Sequence, residues 1–195
     1  MISNYYAYAS LLNLFEKFAE LTDIEEEILI DSFTISYYPA KTFFIKSETT
    51  NIKLGFLASG SAINLCKIND VAIINKFYLD NSIICNVHSF ISQTEHDTDI
   101  QFNEPSFVLE MDYDTYQTIK PIIPKMEKII YELQNEELVF YKNRSQTLQT
   151  KDAKSRLEEL IVYNKNILKR FKSNDIATYL GIKGETLSRL KLMFK

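Results

Sequence analysis

The spacing of apolar residues divides the chain into stretches of different predicted structure. Residues 5–19 and 22–32 carry apolar side chains three and four positions apart, which predicts two helices. Residues 33–111 change to short alternating or wholly apolar runs, and the clusters of Pro, Ser, Asn and Gly between these runs are typical of turns. Many short strands at nearly regular spacing predict an antiparallel barrel or sandwich. A helical turn is expected within it at residues 87–93.

Helical spacing returns after residue 113. Over residues 124–148, apolar side chains recur three and four positions apart and form a long seam that Glu137 interrupts. Such a stripe can dock on the barrel, but a seam of this length favours a coiled-coil-like contact between two copies of the chain. We therefore predict a homodimer through this helix. The predicted interface residues are Met126, Ile130, Leu133 and Phe140. Residues 150–171 predict a further helix and a connector.

The pattern of residues 173–191 predicts a helix-turn-helix. Two short amphipathic stretches flank Gly181, which stands where a tight turn needs a residue that tolerates a positive φ. The side chains expected to be buried are Ile176, Ala177, Leu180, Leu187 and Leu190. The second helix, at residues 183–192, keeps its polar side chains outward, and such a face suits the major groove of DNA. The alternative is a pair of helices that packs a core without touching DNA.

Charge is distributed unevenly along the chain. Residues 1–141 hold 9 Lys and Arg against 21 Asp and Glu, a net charge of −12. Residues 142–195 hold 13 Lys and Arg against 5 Asp and Glu, a net charge of +8. A basic end on an acidic body is typical of a nucleic-acid-binding segment attached to a sensor.

Several classes of protein are disfavoured by composition and motifs. No apolar run approaches the roughly 20 residues of a membrane-spanning helix, and the N-terminus lacks the pattern of a secretory leader, so we expect a cytoplasmic protein without a membrane partner. Cys66 and Cys85 are too few for a disulfide framework or a structural zinc site. No glycine-rich phosphate loop or hydrolase motif occurs, so we expect neither an enzyme nor a bound metal or cofactor.

The helix-turn-helix carries a resemblance to a known family. Its string Ile-Ala-x-x-Leu-Gly-Ile-x-x-Glu-Thr-Leu-Ser-Arg, residues 176–189, resembles the recognition segment of the cyclic-AMP receptor/fumarate-nitrate regulator (Crp/Fnr) family. The resemblance implies an α+β fold in which residues 1–120 form a cyclic-nucleotide-binding-like β-barrel (a double-stranded β-helix or jelly roll) with flanking helices. A dimerisation helix (121–148) and a helix-turn-helix domain (149–195) follow. Since the chain stops at Lys195, we expect the family's wing to be reduced or absent.

The same resemblance implies a sequence-specific transcriptional regulator. A homodimer of such a regulator binds a palindromic operator in double-stranded DNA, and RNA polymerase is a candidate further partner. The residues predicted to contact bases are Glu185, Ser188 and Arg189. The residues predicted to contact phosphates are Lys172, Ser173, Lys183, Thr186 and Lys191. The alternative is a ligand-binding or protein-interaction module with the same barrel that no longer binds DNA.

The predicted effector site departs from the family. Members that bind cyclic AMP carry a Gly-Glu pair for the ribose and an Arg-Ser pair for the phosphate; these positions fall on Cys85-Asn86 and His96-Asp97. We interpret Asn86, His96 and Asp97 as a degenerate site, because Asp97 repels a phosphate and residues 1–143 contain no arginine. Two cysteines do not suffice for an iron–sulfur cluster, and isolated histidines do not indicate haem. The alternatives are an apolar or aromatic ligand in the barrel, or no effector.

Overall fold

A computed structural model describes residues 4–69 and 71–194 of the chain. Residues 1–3, part of the N-terminal stretch that leads us to expect no secretory leader, lie outside this description. Ten strands occur in the described residues. They are β1 (Thr34–Tyr38), β2 (Phe43–Ile45), β3 (Thr49–Thr50), β4 (Lys53–Ser59), β5 (Ala62–Ile68), β6 (Val71–Tyr78), β7 (Ser82–Ile84), β8 (Glu95–His96), β9 (Asp99–Phe102) and β10 (Ser106–Asp112).

Nine helices of the described chain surround and follow these strands. They are α1 (Asn4–Glu16), α2 (Asp23–Ser32), α3 (Val87–Ser92), α4 (Tyr113–Ile119), α5 (Lys125–Thr150), α6 (Ala153–Tyr163), α7 (Ile167–Arg170), α8 (Ser173–Leu180) and α9 (Gly184–Lys191). A single 3₁₀ turn, Leu192–Phe194, comes after α9. None of the helices in the described residues combines the length and the apolar character that a membrane crossing requires.

The strands form the predicted antiparallel barrel. One four-stranded sheet has the order β1-β10-β4-β7, the other has the order β2-β9-β5-β6, and β3 pairs with β8. Because alternate side chains of a strand point to opposite faces, each sheet sends one row of apolar residues inward. The buried residues of this inner core are Phe44, Ile45, Leu57, Ala62, Tyr78, Ile84, Ile100, Phe102 and Val108. The prediction of an α+β fold with a cyclic-nucleotide-binding-like barrel is confirmed.

The N-terminal helices cover the outer face of the first sheet. α2 begins in a capping box, in which the Glu25 amide donates to Thr22 Oγ1 (3.3 Å) and the Thr22 amide donates to Glu25 Oε2 (2.8 Å). Phe15 of α1 and Leu29 of α2 are fully buried. They belong to one cluster with Leu109, the outward-facing neighbour of Val108 on β10. This cluster gives the first sheet a covered outer face.

The first half of α5 belongs to the same cluster, and this corrects one prediction. Met126, Ile130 and Leu133 expose 0%, 3% and 5% of their surface and pack within their own chain. Because those side chains already fill the intramolecular core, they cannot face a partner copy. Phe140 is half-buried, and its ring lies 5.0 Å from the Lys76 ammonium. The apolar residues of α5 that remain exposed are Tyr131, Leu138, Val139 and Leu148.

Residues 153–194, called the C-terminal segment from here on, pack against the outer face of the second sheet. The barrel contributes Ile63, Leu65, Ile74, Phe77 and Leu79 to the shared cluster. The C-terminal segment contributes Leu157, Leu160, Ile167, Phe171, Ile176, Ala177, Leu180 and Leu187. The Phe77 ring lies 4.4 Å from the Phe171 ring and 4.8 Å from the Tyr179 ring, centroid to centroid. The parts of the sequence on either side of the predicted boundary at residue 149 therefore share a hydrophobic core.

Candidate nucleic-acid interface

α8 and α9 form a helix-turn-helix around Gly181. This residue has φ = 64°, and the Ile182 amide donates to the Ala177 carbonyl at 3.0 Å, which closes the C-terminus of α8. Apart from its chain neighbours, a Cβ atom at position 181 would meet one atom of the described residues within 4 Å, Leu148 Cδ2 at 3.5 Å. The demand for glycine therefore comes from the left-handed backbone and not from a lack of space.

Burial divides α9 into two faces. Leu187 is fully buried and Leu190 partly buried, as the spacing predicts. Glu185, Ser188 and Arg189, the residues predicted to contact bases, are all exposed. Glu185 and Arg189 lie four residues apart, so their side chains occupy neighbouring positions on one face of the helix. The structure therefore places the three predicted base-contacting residues together on the outward side of α9.

The predicted phosphate-contacting residues border this face. Lys172 and Ser173 lie at the start of α8, whereas Lys183 and Thr186 lie at the start of α9, and all four are exposed. Lys191 is partly buried, and its ammonium donates to Ser173 Oγ at 2.7 Å. No side chain caps the start of α9. Its first amides are therefore available to an anion, as helix N-termini commonly are.

Arg170 holds the C-terminal segment to the barrel. Its guanidinium contacts Asp80 Oδ2 (2.6 Å) and Glu104 Oε1, and it donates to the Gly60 carbonyl at 2.8 Å. In return, Asn103 Nδ2 donates to the Arg170 carbonyl at 2.8 Å. Burial raises the pKa of Asp80, but the hydrogen bonds from Arg170 and the Gly60 amide outweigh it and leave that pKa below its usual value. The sequence offered no local signal for this contact, because its residues are far apart in the chain.

The three residues of the predicted degenerate effector site serve separate local roles. Asn86 caps α3, since its Oδ1 accepts from the Ser89 amide at 3.0 Å. His96 lies on β8 opposite Thr49, and both of its ring nitrogens are buried without a hydrogen-bond partner in the described residues. Burial lowers the pKa of His96 and favours the neutral imidazole. Asp97 is exposed.

A cavity of about 460 Å³ lies between the barrel and α5, close to this region. Its lining includes Lys76, Cys85, Glu137 and Phe140. The Lys76 ammonium lies 5.0 Å from the rings of Tyr78 and Phe140, within cation–π range. Burial lowers the pKa of Lys76, while the nearby carboxylates of Glu137 and Glu136 oppose that shift. In the sequence, the feature that could have indicated this cavity is Lys76, a charged residue within the largely apolar strand β6.

Comparison with solved structures identifies the architecture, although no protein-family profile and no curated protein sequence matches the chain. FixK2 of Bradyrhizobium japonicum superposes with a TM-score of 0.73 at 16% identity and 83% coverage of each chain. The c-di-GMP-responsive global regulator CLP of Xanthomonas campestris gives 0.69 at 14% identity, covering 86% of this chain and 89% of CLP. A CooA mutant from Carboxydothermus hydrogenoformans gives 0.66 at 19% identity, covering 85% and 78% respectively.

At identities of 14–19%, these likenesses concern the fold. Each likeness covers more than four fifths of the chain. The three structures are those of Crp/Fnr regulators. The chain described here therefore has the fold of the Crp/Fnr transcriptional regulators.

Proposed function

We propose that this chain is a sequence-specific DNA-binding transcriptional regulator of the Crp/Fnr type. The observation that carries the proposal is the outward face of α9, where Glu185, Ser188 and Arg189 are exposed while Leu187 anchors the helix from behind. Arginine can donate two hydrogen bonds to guanine O6 and N7, and a glutamate can accept one from a cytosine amine. One face of α9 thus presents both a hydrogen-bond donor, Arg189, and an acceptor, Glu185, to a major groove.

The residues around α9 supply the contacts that orient such a helix on DNA. Lys172 and Lys183 flank it, Ser173 and Thr186 can donate hydroxyl hydrogen bonds, and Lys191 borders the same surface. Phosphate contacts of this kind fix the register of a protein on the duplex without distinguishing sequences. The net charge of +8 over residues 142–195 strengthens binding to any duplex.

The proposed regulator acts as a homodimer on a palindromic operator. The exposed apolar face of α5 supports this arrangement, because Tyr131 and Leu138 are 64% and 69% exposed and stand one heptad apart. These residues replace Met126, Ile130 and Leu133 as the proposed contacts between copies. Two copies related by a two-fold axis place their α9 helices in half-sites one helical turn apart, about 34 Å.

We further propose that cyclic AMP does not gate this protein. The position where the family places a ribose-binding glutamate holds Asn86, whose side-chain oxygen already caps α3. Where the phosphate-binding arginine is expected, the chain has His96, whose pKa is lowered by burial, and the exposed Asp97. A buried phosphate at these positions meets no cationic side chain there and loses its hydration without compensation. The alternative is that Lys76 of the neighbouring cavity supplies the positive charge.

The test is selection of a binding sequence from a random duplex library by the full chain. We expect a palindrome whose affinity exceeds that of scrambled duplex by about 10³ or more at physiological salt. Lys183→Gln should weaken both duplexes alike and reduce the salt slope by about one, while Lys128→Gln on the exposed side of α5 should change neither. Millimolar cyclic AMP should leave both affinities unchanged.

Two results would contradict this proposal in different ways. If no sequence is enriched and no salt-dependent duplex binding is measured, the chain is a ligand-binding or interaction module without DNA binding. If cyclic AMP raises the operator affinity, the protein is gated by that nucleotide, although its role as a regulator stands.

A further inference from the structure

A second cavity, of about 260 Å³, lies where the barrel, α5 and the C-terminal segment meet. Its lining includes Phe77 of β6 and, from α5, Arg144 and Leu148. It also includes Arg156 of α6 and Tyr179 of α8. This cavity is distinct from the 460 Å³ cavity beside Lys76, although both include Phe140 and Tyr163 in their lining. A molecule bound in it would touch α5 and α8 at the same time.

Two guanidinium groups line this cavity. Arg144 Nη2 donates to the carbonyls of Ile74 (3.2 Å) and Tyr179 (2.8 Å), and its guanidinium carbon lies 3.8 Å from the centre of the Tyr179 ring. Arg156 Nη1 donates to the Leu148 carbonyl at 3.1 Å. Arg156 Nε is fully buried and has no hydrogen-bond partner in the described residues. Arg156 as a whole is only partly buried, and both guanidinium groups keep N–H donors without a partner in the described residues.

No carboxylate neutralises this pair of cations in the described part of the chain. Neither Arg144 nor Arg156 occurs among the ion pairs found there. The acidic residue in the lining, Glu159, forms its ion pair with Lys151 and leaves 46% of its side chain exposed. A partly buried charge without a counter-charge loses some of its hydration, and a bound anion would compensate that loss.

The rest of the lining selects a flat apolar body. Four aromatic rings line the cavity, together with leucine side chains. The aromatic residues are Phe77, Phe140, Tyr163 and Tyr179. Aromatic side chains bind planar rings by offset stacking and edge contacts. The volume is slightly below the range of about 300–1,000 Å³ for typical ligand sites, so the bound molecule must be small.

We propose that this cavity binds a small aromatic carboxylate. The carboxylate accepts hydrogen bonds from the guanidinium N–H groups of Arg156 and Arg144 that have no partner within the described residues, because guanidinium groups match the geometry of a carboxylate. The ring lies among the aromatic side chains. The ligand contacts both the long helix α5 and α8, the helix that precedes α9.

The test is calorimetric titration of the full chain with 2-naphthoate and with its neutral analogue 2-naphthalenemethanol. We expect saturable binding of the acid, and weaker binding of the alcohol by about tenfold or more, since hydrogen bonds to charged groups contribute about 1.5–3 kcal/mol. Arg156→Gln should lower the affinity for the acid toward that of the alcohol, with the remaining difference due to Arg144. Lys142→Gln, which removes an exposed positive charge on α5 outside the cavity, should change neither affinity.

A second variant tests the proposal in case Arg156→Gln does not fold. Thr147→Phe places a ring in the cavity from α5, so it should abolish binding of both probes while both arginines remain. The thermal unfolding of each variant shows whether the chain is folded. Equal affinity for acid and alcohol, or no saturable binding of the acid at millimolar concentration, would overturn the proposal. Such a failure leaves the DNA-binding proposal untouched, because the duplex experiments use no ligand.

Discussion

Arg189 is the residue on which the proposed base recognition depends most. It is exposed on α9 and forms no ion pair within the described residues, so its guanidinium is available to a base. We expect Arg189→Ala to cost about 1–3 kcal/mol on the selected duplex and to relax discrimination at one base pair. Titrations of the selected and scrambled duplexes by fluorescence anisotropy measure both effects. An equal loss on the two duplexes would contradict base recognition by Arg189.

Asp80 gives the contact of Arg170 a defined dependence on pH. The folded-state pKa of Asp80 is depressed, so its stabilisation is present above the unfolded-state value near 4 and is lost as pH falls through the folded pKa. Because Asp80 is 45% exposed, solvent screening limits the contribution, and we expect Asp80→Asn to cost about 1 kcal/mol at neutral pH.

Urea unfolding at several pH values measures this contribution. The difference between Asp80→Asn and the wild type should shrink as the pH falls from about 4 through the lowered pKa of the folded-state carboxyl, which then also becomes neutral. Asp97→Asn, an equivalent change at an exposed carboxylate, serves as the control and should alter stability little. A difference that stays constant down to acidic pH would show that the charge of Asp80 does not stabilise the fold.

The spacing of residues in the sequence predicted the outward face of α9, but it did not predict the long-range contacts of Arg170. Glu185, Ser188 and Arg189 follow from helical spacing around Leu187, which is a local pattern. The contact of Arg170 with Asp80 and Glu104 joins residues 66 or more positions apart. Only the pairing of strands and the packing of the C-terminal segment bring these groups together.

The turn between α8 and α9 offers a matched pair of glycine substitutions. Gly181 has φ = 64°, so Gly181→Ala should cost about 1–2 kcal/mol through the strained left-handed backbone. Gly184 begins α9 without a positive φ, and within the described residues no atom outside its own helix turn and its chain neighbours lies within 4 Å of the position that a Cβ would occupy. We therefore expect Gly184→Ala to be neutral or slightly stabilising. Chemical denaturation compares the two, and equal effects would refute the backbone explanation.

Helices and strands were predicted correctly where they are long enough to show a repeating apolar pattern. The period of two predicted the longer strands, whereas β3 and β8 contain two residues each and show no period. The helical period also predicted α5 but misassigned its apolar face. Apolar spacing shows that a face is buried without showing what covers it, and here Met126 and Leu133 belong to a cluster that also includes residues of the barrel and of α1.

At the scale of the whole molecule, the exposed face of α5 predicts how two copies meet. Leu138 is 69% exposed, so Leu138→Glu should leave the fold intact and place two carboxylates near each other across the two-fold axis. We expect this variant to sediment as a monomer at concentrations where the wild type is a dimer, and to lose affinity for the selected duplex.

Two further variants complete this experiment. Ile122→Glu makes the same kind of change at an exposed apolar residue outside α5 and should leave the dimer intact. Leu133→Glu buries a carboxylate in the core and should unfold the chain instead of only dissociating it. Dissociation by Ile122→Glu but not by Leu138→Glu would place the interface elsewhere.

The cluster shared by the barrel and the C-terminal segment has a consequence for the order of folding. A segment of about 40 residues seldom builds a sufficient core by itself. Here the apolar faces of α6 to α8 close against Ile63, Ile74 and Phe77, which lie on the outer face of the second sheet. β5 and β6 precede that segment in the chain and leave the ribosome first. We therefore expect the paired strands to form first and the helix-turn-helix to complete its core against them last.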